Sequence, residues 1–310
     1  MRSNKTGGAE NVKMKTREYL AGYAMVLPAV LLFIAFALYP AIRTFTLPFY
    51  DWDMLSAPVF VKFENFTRLF ADERLPLILR NTALVAVVPV VFKLLFGFLA
   101  AYLVFRLRGK AATVFMESAI FFPIIIPMSI VSMVFTMLLG TDVGAINGIL
   151  YALGLPKIPW LTSAKWAIWS VMMVDVWKGI GFFFIIYLVA LRNVPKSYIE
   201  AAEIDGANQF YSTVKILVPC VSATSLFLLV NALITGLQLF EPIYLLTRGG
   251  PGDATATVSY YIWSIAFQER DMGYGALLAL VLFCFVMLIT LLQFLLSKFW
   301  VHYLSLIHIS

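Results

Sequence analysis

One feature constrains this chain more than any other: long stretches without a single charge. Leu20 to Ile42 carries none, and at ~1.5 Å of rise per residue such a helix crosses a ~30 Å hydrocarbon layer with some tilt. Five more apolar runs follow, near 82–105, 113–139, 164–190, 216–240 and 272–297. Of 310 residues, 62% are hydrophobic and only 13% charged, against about a quarter charged in a soluble domain. The chain reads as an all-α integral membrane protein with six transmembrane helices.

Orientation follows from Lys and Arg in the short loops. Residues 1–18 hold Arg2, Lys5, Lys13, Lys15 and Arg17 against Glu10 and Glu18, a basic arm expected to be loosely ordered. The apolar run behind it is too long for a cleavable signal. Arg106, Arg108 and Lys110 follow the second run, and Arg192, Lys196 and Lys215 surround the loop before the fifth. Both termini and these two loops are therefore expected in the cytoplasm, with the chain in the cytoplasmic (inner) membrane. The 43–80 segment, with five basic and five acidic residues, is expected outside and long enough for short helices. The divisions expected are 1–18, an arm; 19–80, first helix and outer loop; 81–297, the core; and 298–310, a tail. From Leu304 to Ser310 that tail reads as foreign to the protein.

Catalysis finds no footing here. No glycine-rich phosphate loop ending in Lys-Ser/Thr occurs. The only histidines, His302 and His308, lie in the tail, so neither a His-dependent triad nor a histidine metal site is expected. Cys220 and Cys284 sit in or beside apolar runs, as packing residues do. A formal charge of +6 comes without the basic, aromatic-interleaved groove that nucleic acid needs. No metal and no cofactor are expected on this chain.

Ionisable groups inside a span cost ~2.5–3.5 kcal/mol each at a helix centre, so they are functional candidates by default. Lys93 lies mid-span in the second run, and Asp175 and Lys178 lie three apart in the fourth. Either they line a pathway, or Asp175 pairs with Lys93 or Lys178 as a structural bridge; the bridge is the preferred reading. Glu117 is expected at the inner interface. Pro123 and Pro127 interrupt the third run and mark a bend or a gate.

The remaining polar island, Tyr198 to Pro219, is a helix-forming stretch broken by glycine. Pro195 precedes it; Glu200, Glu203 and Asp205 are expected in the first turns, where carboxylates suit a helix N-terminus. Ala201 and Ala202 allow close approach, and Gly206 breaks or bends the helix. Glu200-Ala201-Ala202, Asp205-Gly206-Ala207, Ile216 and Pro219 resemble the EAA loop (195–219 here) of type I ATP-binding-cassette importer permeases. The chain departs from that pattern at Thr213, Val218 and Ala223, where the family has an aromatic, a leucine and a second proline.

A second stretch, Thr247-Arg248-Gly249-Gly250-Pro251, resembles the Thr-x-Gly-Gly-Pro turn of first permeases in carbohydrate importers of the maltose and glycerol-3-phosphate type. Met272-Gly273-Tyr274-Gly275-Ala276 is similar to the opening of their last helix. The resemblance implies the type I importer permease fold and no catalysis on this chain. It also implies a second homologous permease, two cytosolic ATPase subunits holding ATP and Mg, and an extracytoplasmic solute-binding protein meeting Gly249, Gly250 and Pro251. The EAA loop would then be the coupling helix that a separate motor pulls. A sugar or oligosaccharide is the expected cargo, with Asn231, Gln238, Trp177 and Tyr244 as pathway candidates, since amides bond hydroxyls and aromatic faces cover pyranose rings. Two alternatives stay open: a permease of the same class for a glycerophosphodiester, a polyamine or an osmolyte, and an ion-coupled secondary transporter or channel.

Overall fold

The computed structural model describes residues 6–302, with side chains from residue 18 onward. The basic residues Arg2 and Lys5 and the segment 304–310 lie outside the described residues.

Helix begins earlier than expected. α1, Thr6–Phe33, takes in most of the arm expected to be loose, and continues through a π-turn at Ile34–Leu38 into α2, Tyr39–Thr46. Among the described side chains of this first span, Glu18 to Thr46, none is buried against the chain itself. It touches the bundle at its far end, where Phe45 meets Phe283 edge-on at 6.0 Å. The 43–80 segment contains more than short helices. A hairpin pairs β1, Tyr50–Asp51, with β2, Val59–Phe60, in register Tyr50 to Phe60, and α3, Glu64–Ala71, follows.

Two long helices form the axis of the fold. α4, Leu75–Arg106, packs along α8, Ala164–Arg192. Between apolar tails and apolar side chains there is little hydrophobic gain, so close packing has to hold helices together. Gly97 permits it: a Cβ there would lie 2.4 Å from the Phe183 Cβ.

The third span is not one helix. α5, Lys110–Ile125, and α6, Met128–Leu138, meet at 96°. Pro127 caps α6 and Ile126 before it is extended (ψ 128°), as a residue preceding proline tends to be. After α7, Ala145–Ala152, the buried Asn147 ties the connection to α8, accepting from the Ile158 amide and the Trp160 indole.

Beyond α8 come the short helices α9, Lys196–Ile204, and α10, Gln209–Ser212, then a π-turn at Thr213–Leu217 and α11, Val218–Cys220. The fifth span, α12, Ser222–Leu237, leaves this segment at 64°. α13, Glu241–Leu246, and α14, Val258–Trp263, flank the glycine turn, and α15, Met272–Ser297, has the limits expected of the last span. Four spans are thus continuous and two are bent, six in all.

The glycine turn sits beside the start of α4, through Arg74 and Asp253, while α9 sits beside its end, through Arg106. These are the turn end and the elbow end of the bundle. Each has its own core. Ile78, Val131, Val174, Leu237, Ile243 and Tyr274 belong to the first; Val104, Phe184, Leu188, Leu217 and Leu228 to the second.

Candidate functional site: an elbow, an intramembrane ion pair and a pinned turn

Pro195 caps α9, so the elbow helix starts at Lys196 and its first turn holds no acid. The expectation that Glu200, Glu203 and Asp205 open the helix is corrected. Glu200 lies in the second turn, and Asp205 is the C-cap. The helix stops because Gly206 takes φ +77°, a left-handed conformation that costs other L-residues about 1–2 kcal/mol. Its amide donates to the Glu203 carbonyl (3.1 Å) and the Ala207 amide to that of Ala202 (2.9 Å), which satisfies the last turn. Two residues later the Asn208 side chain accepts from the Tyr211 amide at 2.8 Å and starts α10. Both sides of the bend are thus capped, and the angle between the helices rests on one glycine.

Ala202 is buried, whereas Glu200, Ala201 and Asp205 are exposed. Ile204 and Phe210 are 86% and 77% exposed, an apolar surface with nothing of its own chain upon it. A cleft of about 670 Å³ opens between Ala201, Gly206, Tyr211 and Ile216. Ala207 and Ile216 are half-buried at its margin, and Pro219 stands at the start of α11. Carboxylates, a small residue and uncovered apolar side chains thus lie exposed together on one short segment. Among the described residues no cluster of His, Cys, Asp or Glu has the spacing to hold a metal.

Midway along the bundle, the Lys93 ammonium donates to Asp175 at 2.7 Å, the two side chains being 10% and 15% exposed. Asp175 therefore pairs with Lys93 and not with Lys178, whose Nζ lies 3.4 Å from the Ile124 carbonyl. Glu117 pairs with Arg192 at 2.5 Å.

The pathway candidates have different surroundings. Asn231 is half-buried in α12, but the helix ends at Leu237 and leaves Gln238 exposed as its C-cap. Trp177 packs against Phe135 at 5.2 Å, and Tyr244 joins a different group, 5.5 Å from Phe240 and 4.7 Å from Trp263.

Hydrogen bonds fix the glycine turn rigidly. The Thr247 and Thr255 hydroxyls lie 2.7 Å apart, and Tyr260 donates to the Arg248 carbonyl at 2.7 Å. Arg74 donates twice to Asp253, at 2.8 and 3.0 Å, while the Asn81 amide reaches the Asp253 and Ala256 carbonyls. Gly249 is buried and Gly250 half-buried, so Pro251 and Gly252 form the presented tip.

One further group has no local signal in the sequence. Asp72 accepts from the phenols of Tyr261 (2.7 Å) and Tyr274 (2.6 Å), and Arg68 pairs with Asp271 over the Tyr274 ring. This clamp joins the 43–80 segment to the head of α15. Burial alone would raise the Asp72 carboxyl, but the two phenols and the Arg74 amide outweigh it and hold it below the usual carboxylate range. A depressed folded pKa contributes stability above the ordinary carboxylate value, about 3.9, that is lost as pH falls through the folded one. We expect limited proteolysis of the 43–80 segment to accelerate below about pH 4. Asp72→Asn should cleave faster at neutral pH and lose that dependence; an identical acid profile in the variant would remove Asp72 from the clamp.

The geometry has counterparts among known proteins. Residues 93–301 match the family described as binding-protein-dependent transport system inner membrane component. The probable ABC transporter permease protein YesP of Bacillus subtilis is 33% identical, covering 97% of this chain and 99% of the relative. The sulfoquinovosyl glycerol transport system permease protein SmoG of Agrobacterium fabrum is 30% identical over 87% and 88%. In structure, the chain resembles one from a bacterial ABC transporter involved in import of the acidic polysaccharide alginate. The TM-score is 0.82 at 25% identity, covering 93% of this chain and 98% of that one.

Proposed function

Because the chain belongs to the family of binding-protein-dependent transport system inner membrane components, we propose that it supplies half of the translocation pathway of an ATP-driven importer for a sugar or oligosaccharide. It is a multi-pass membrane permease and not itself an enzyme. In the proposed assembly a second, homologous permease completes the pathway, and two cytosolic ATPase subunits hold ATP and Mg. A solute-binding protein outside delivers cargo at the tip Pro251-Gly252. The elbow end then faces the cytoplasm and the turn end the exterior, in the inner membrane of a bacterial-type cell.

The observation that carries this reading is the elbow itself. α9 is short, capped on both sides of Gly206 and uncovered, as a joint that receives an external motor has to be. Glu200, Ala201 and Asp205 would seat in that motor, while Ala202, expected beside them, is buried against the chain itself; movement there would turn α8 and α12 as rigid bodies. The ion-coupled alternative is less well supported, because Asp175 spends its charge on Lys93 and pairs with no second carboxylate.

A carbohydrate cargo is supported by relatives that move sulfoquinovosyl glycerol and by a structural counterpart that moves alginate. Uptake of labelled oligosaccharide into vesicles holding the reconstituted assembly tests both levels. ATP-dependent, vanadate-sensitive uptake is the expected result. Uptake driven by an ion gradient without nucleotide would exclude the proposal.

A further inference from the structure

α4, α8 and α12 each run through both cores of the bundle, but the third span does not. α6 places Met128 and Val131 in the core at the turn end. α5 buries no side chain fully; only Ile120 packs against the other core. Something other than an apolar stripe must hold α5 in place, and its principal neighbour is α8.

Three contacts to α8, spread along α5, do this. Near the elbow end, Arg192 donates to Glu117 at 2.5 Å. Midway, the two backbones pass so closely that a Cβ at Gly181 would lie 2.8 Å from the Ile120 carbonyl oxygen and 3.3 Å from the Phe121 Cα. At the broken end, the Lys178 ammonium approaches the Ile124 carbonyl. That last contact has a physical cause. The final carbonyls of a helix have no partner within it, and one left bare in hydrocarbon is strongly disfavoured. A cation also suits the negative end of the helix. Lys178 answers both demands where α5 stops. Just beyond, at Ile126–Pro127, the chain turns and α6 joins the other core. Arg192, for its part, is the last residue of α8, and only Asn193, Val194 and Pro195 separate it from the elbow helix.

We infer that α5 travels with α8 and the elbow as one body, that the third span flexes at Ile126–Pro127, and that Arg192 and Glu117 are the positioning residues carrying elbow movement into α5. The inference rests on the reading of the elbow as a motor joint. Lys178 holds the far end of the same body. Transport then needs the pair intact although neither residue lies at the elbow surface or among the pathway candidates.

The test uses the reconstituted importer and reads solute moved per ATP hydrolysed. Arg192→Glu sets two carboxylates together and should lower that ratio about tenfold, within the range of measured coupling energies. Adding Glu117→Arg restores the opposite charges and should return the ratio to near the wild-type value. An unchanged ratio in Arg192→Glu, or no recovery in the double variant, overturns the inference while leaving the elbow reading intact. A wild-type assembly with no nucleotide-dependent uptake would overturn both. If Arg192→Glu fails to assemble, spin labels give the same answer without altering the pair. They are placed at Phe115→Cys on α5, Val189→Cys on α8 and Met133→Cys on α6, three exposed positions, with Cys220 and Cys284 changed to serine. On ATP binding the Phe115–Val189 separation should hold while Phe115–Met133 changes by several ångströms. The opposite pattern, or no change in either separation, overturns the inference.

Discussion

Gly206→Val will leave the chain inserted and assembled, yet cut ATP-driven uptake about tenfold or more, equivalent to ~1.4 kcal/mol or above. The expectation comes from backbone conformation, not from crowding. A Cβ at position 206 would meet nothing within 4 Å, so the added branch point displaces no neighbour. The strain lies in φ +77°, which a β-branched residue adopts at greater cost than the ~1–2 kcal/mol of an average one. The chain can relieve it by swinging α9 relative to α10, which undoes the amide bonds of Gly206 and Ala207 to the Glu203 and Ala202 carbonyls. The elbow then presents Glu200 and Ala201 at the wrong angle while the spans stay as they were. Asparagine tolerates the left-handed region, so Gly206→Asn should keep most of the uptake. Measured together, the two variants separate conformation from size. Full uptake in Gly206→Val would remove the elbow from the mechanism.

The break at Gly206 was legible in the sequence because glycine followed a helical stretch between two apolar runs. The spans were legible for a simpler reason: hydrocarbon excludes charge, and the limits of α15 follow directly from that. Other features depend on partners far along the chain. Asp72 lies 189 and 202 residues from the phenols it binds, and no local pattern announces Tyr261 or Tyr274 as donors. The charges of the 43–80 segment balance in number, which hid their specific pairing with Asp253 and Asp271.

Two differences between expectation and structure have local causes. The fifth run stays apolar to Phe240, yet Glu241-Pro242 is a signal for a new helix, so α12 had to end before it and strand Gln238 at its cap. Likewise Pro195 fixes the start of α9, which moves Glu200 out of the first turn and Asp205 to the C-cap. The third run was harder, with a proline at 123 and another at 127. α5 absorbs Pro123 within its helix, whereas the extended Ile126 before Pro127 makes the 96° bend. Which of two prolines breaks a helix depends on the groups nearby that satisfy freed carbonyls, and Lys178 sits on a different span.

The largest loss of stability is expected at Lys93 and Asp175. Removing one member of a buried pair leaves an uncompensated charge, at a cost of ~3–5 kcal/mol, whereas removing both is often nearly neutral. Lys93→Met alone and Asp175→Asn alone should therefore each deplete the folded permease recovered from membranes, by an amount that a thermal-shift assay in detergent can read. The first strands a carboxylate between α4 and α8, and the second strands an ammonium. Lys93→Met combined with Asp175→Leu should recover the folded yield, because neither charge is then left without its partner. The reversed pair, Lys93→Asp with Asp175→Lys, should fold and keep the wild-type order of preference among solutes. A bridge that only holds helices together is indifferent to which helix carries which sign, but a group that touches cargo is not. A double variant that folds normally but reorders solute preference, or stops transport while ATP turnover continues, would move the pair out of the scaffold and into the pathway.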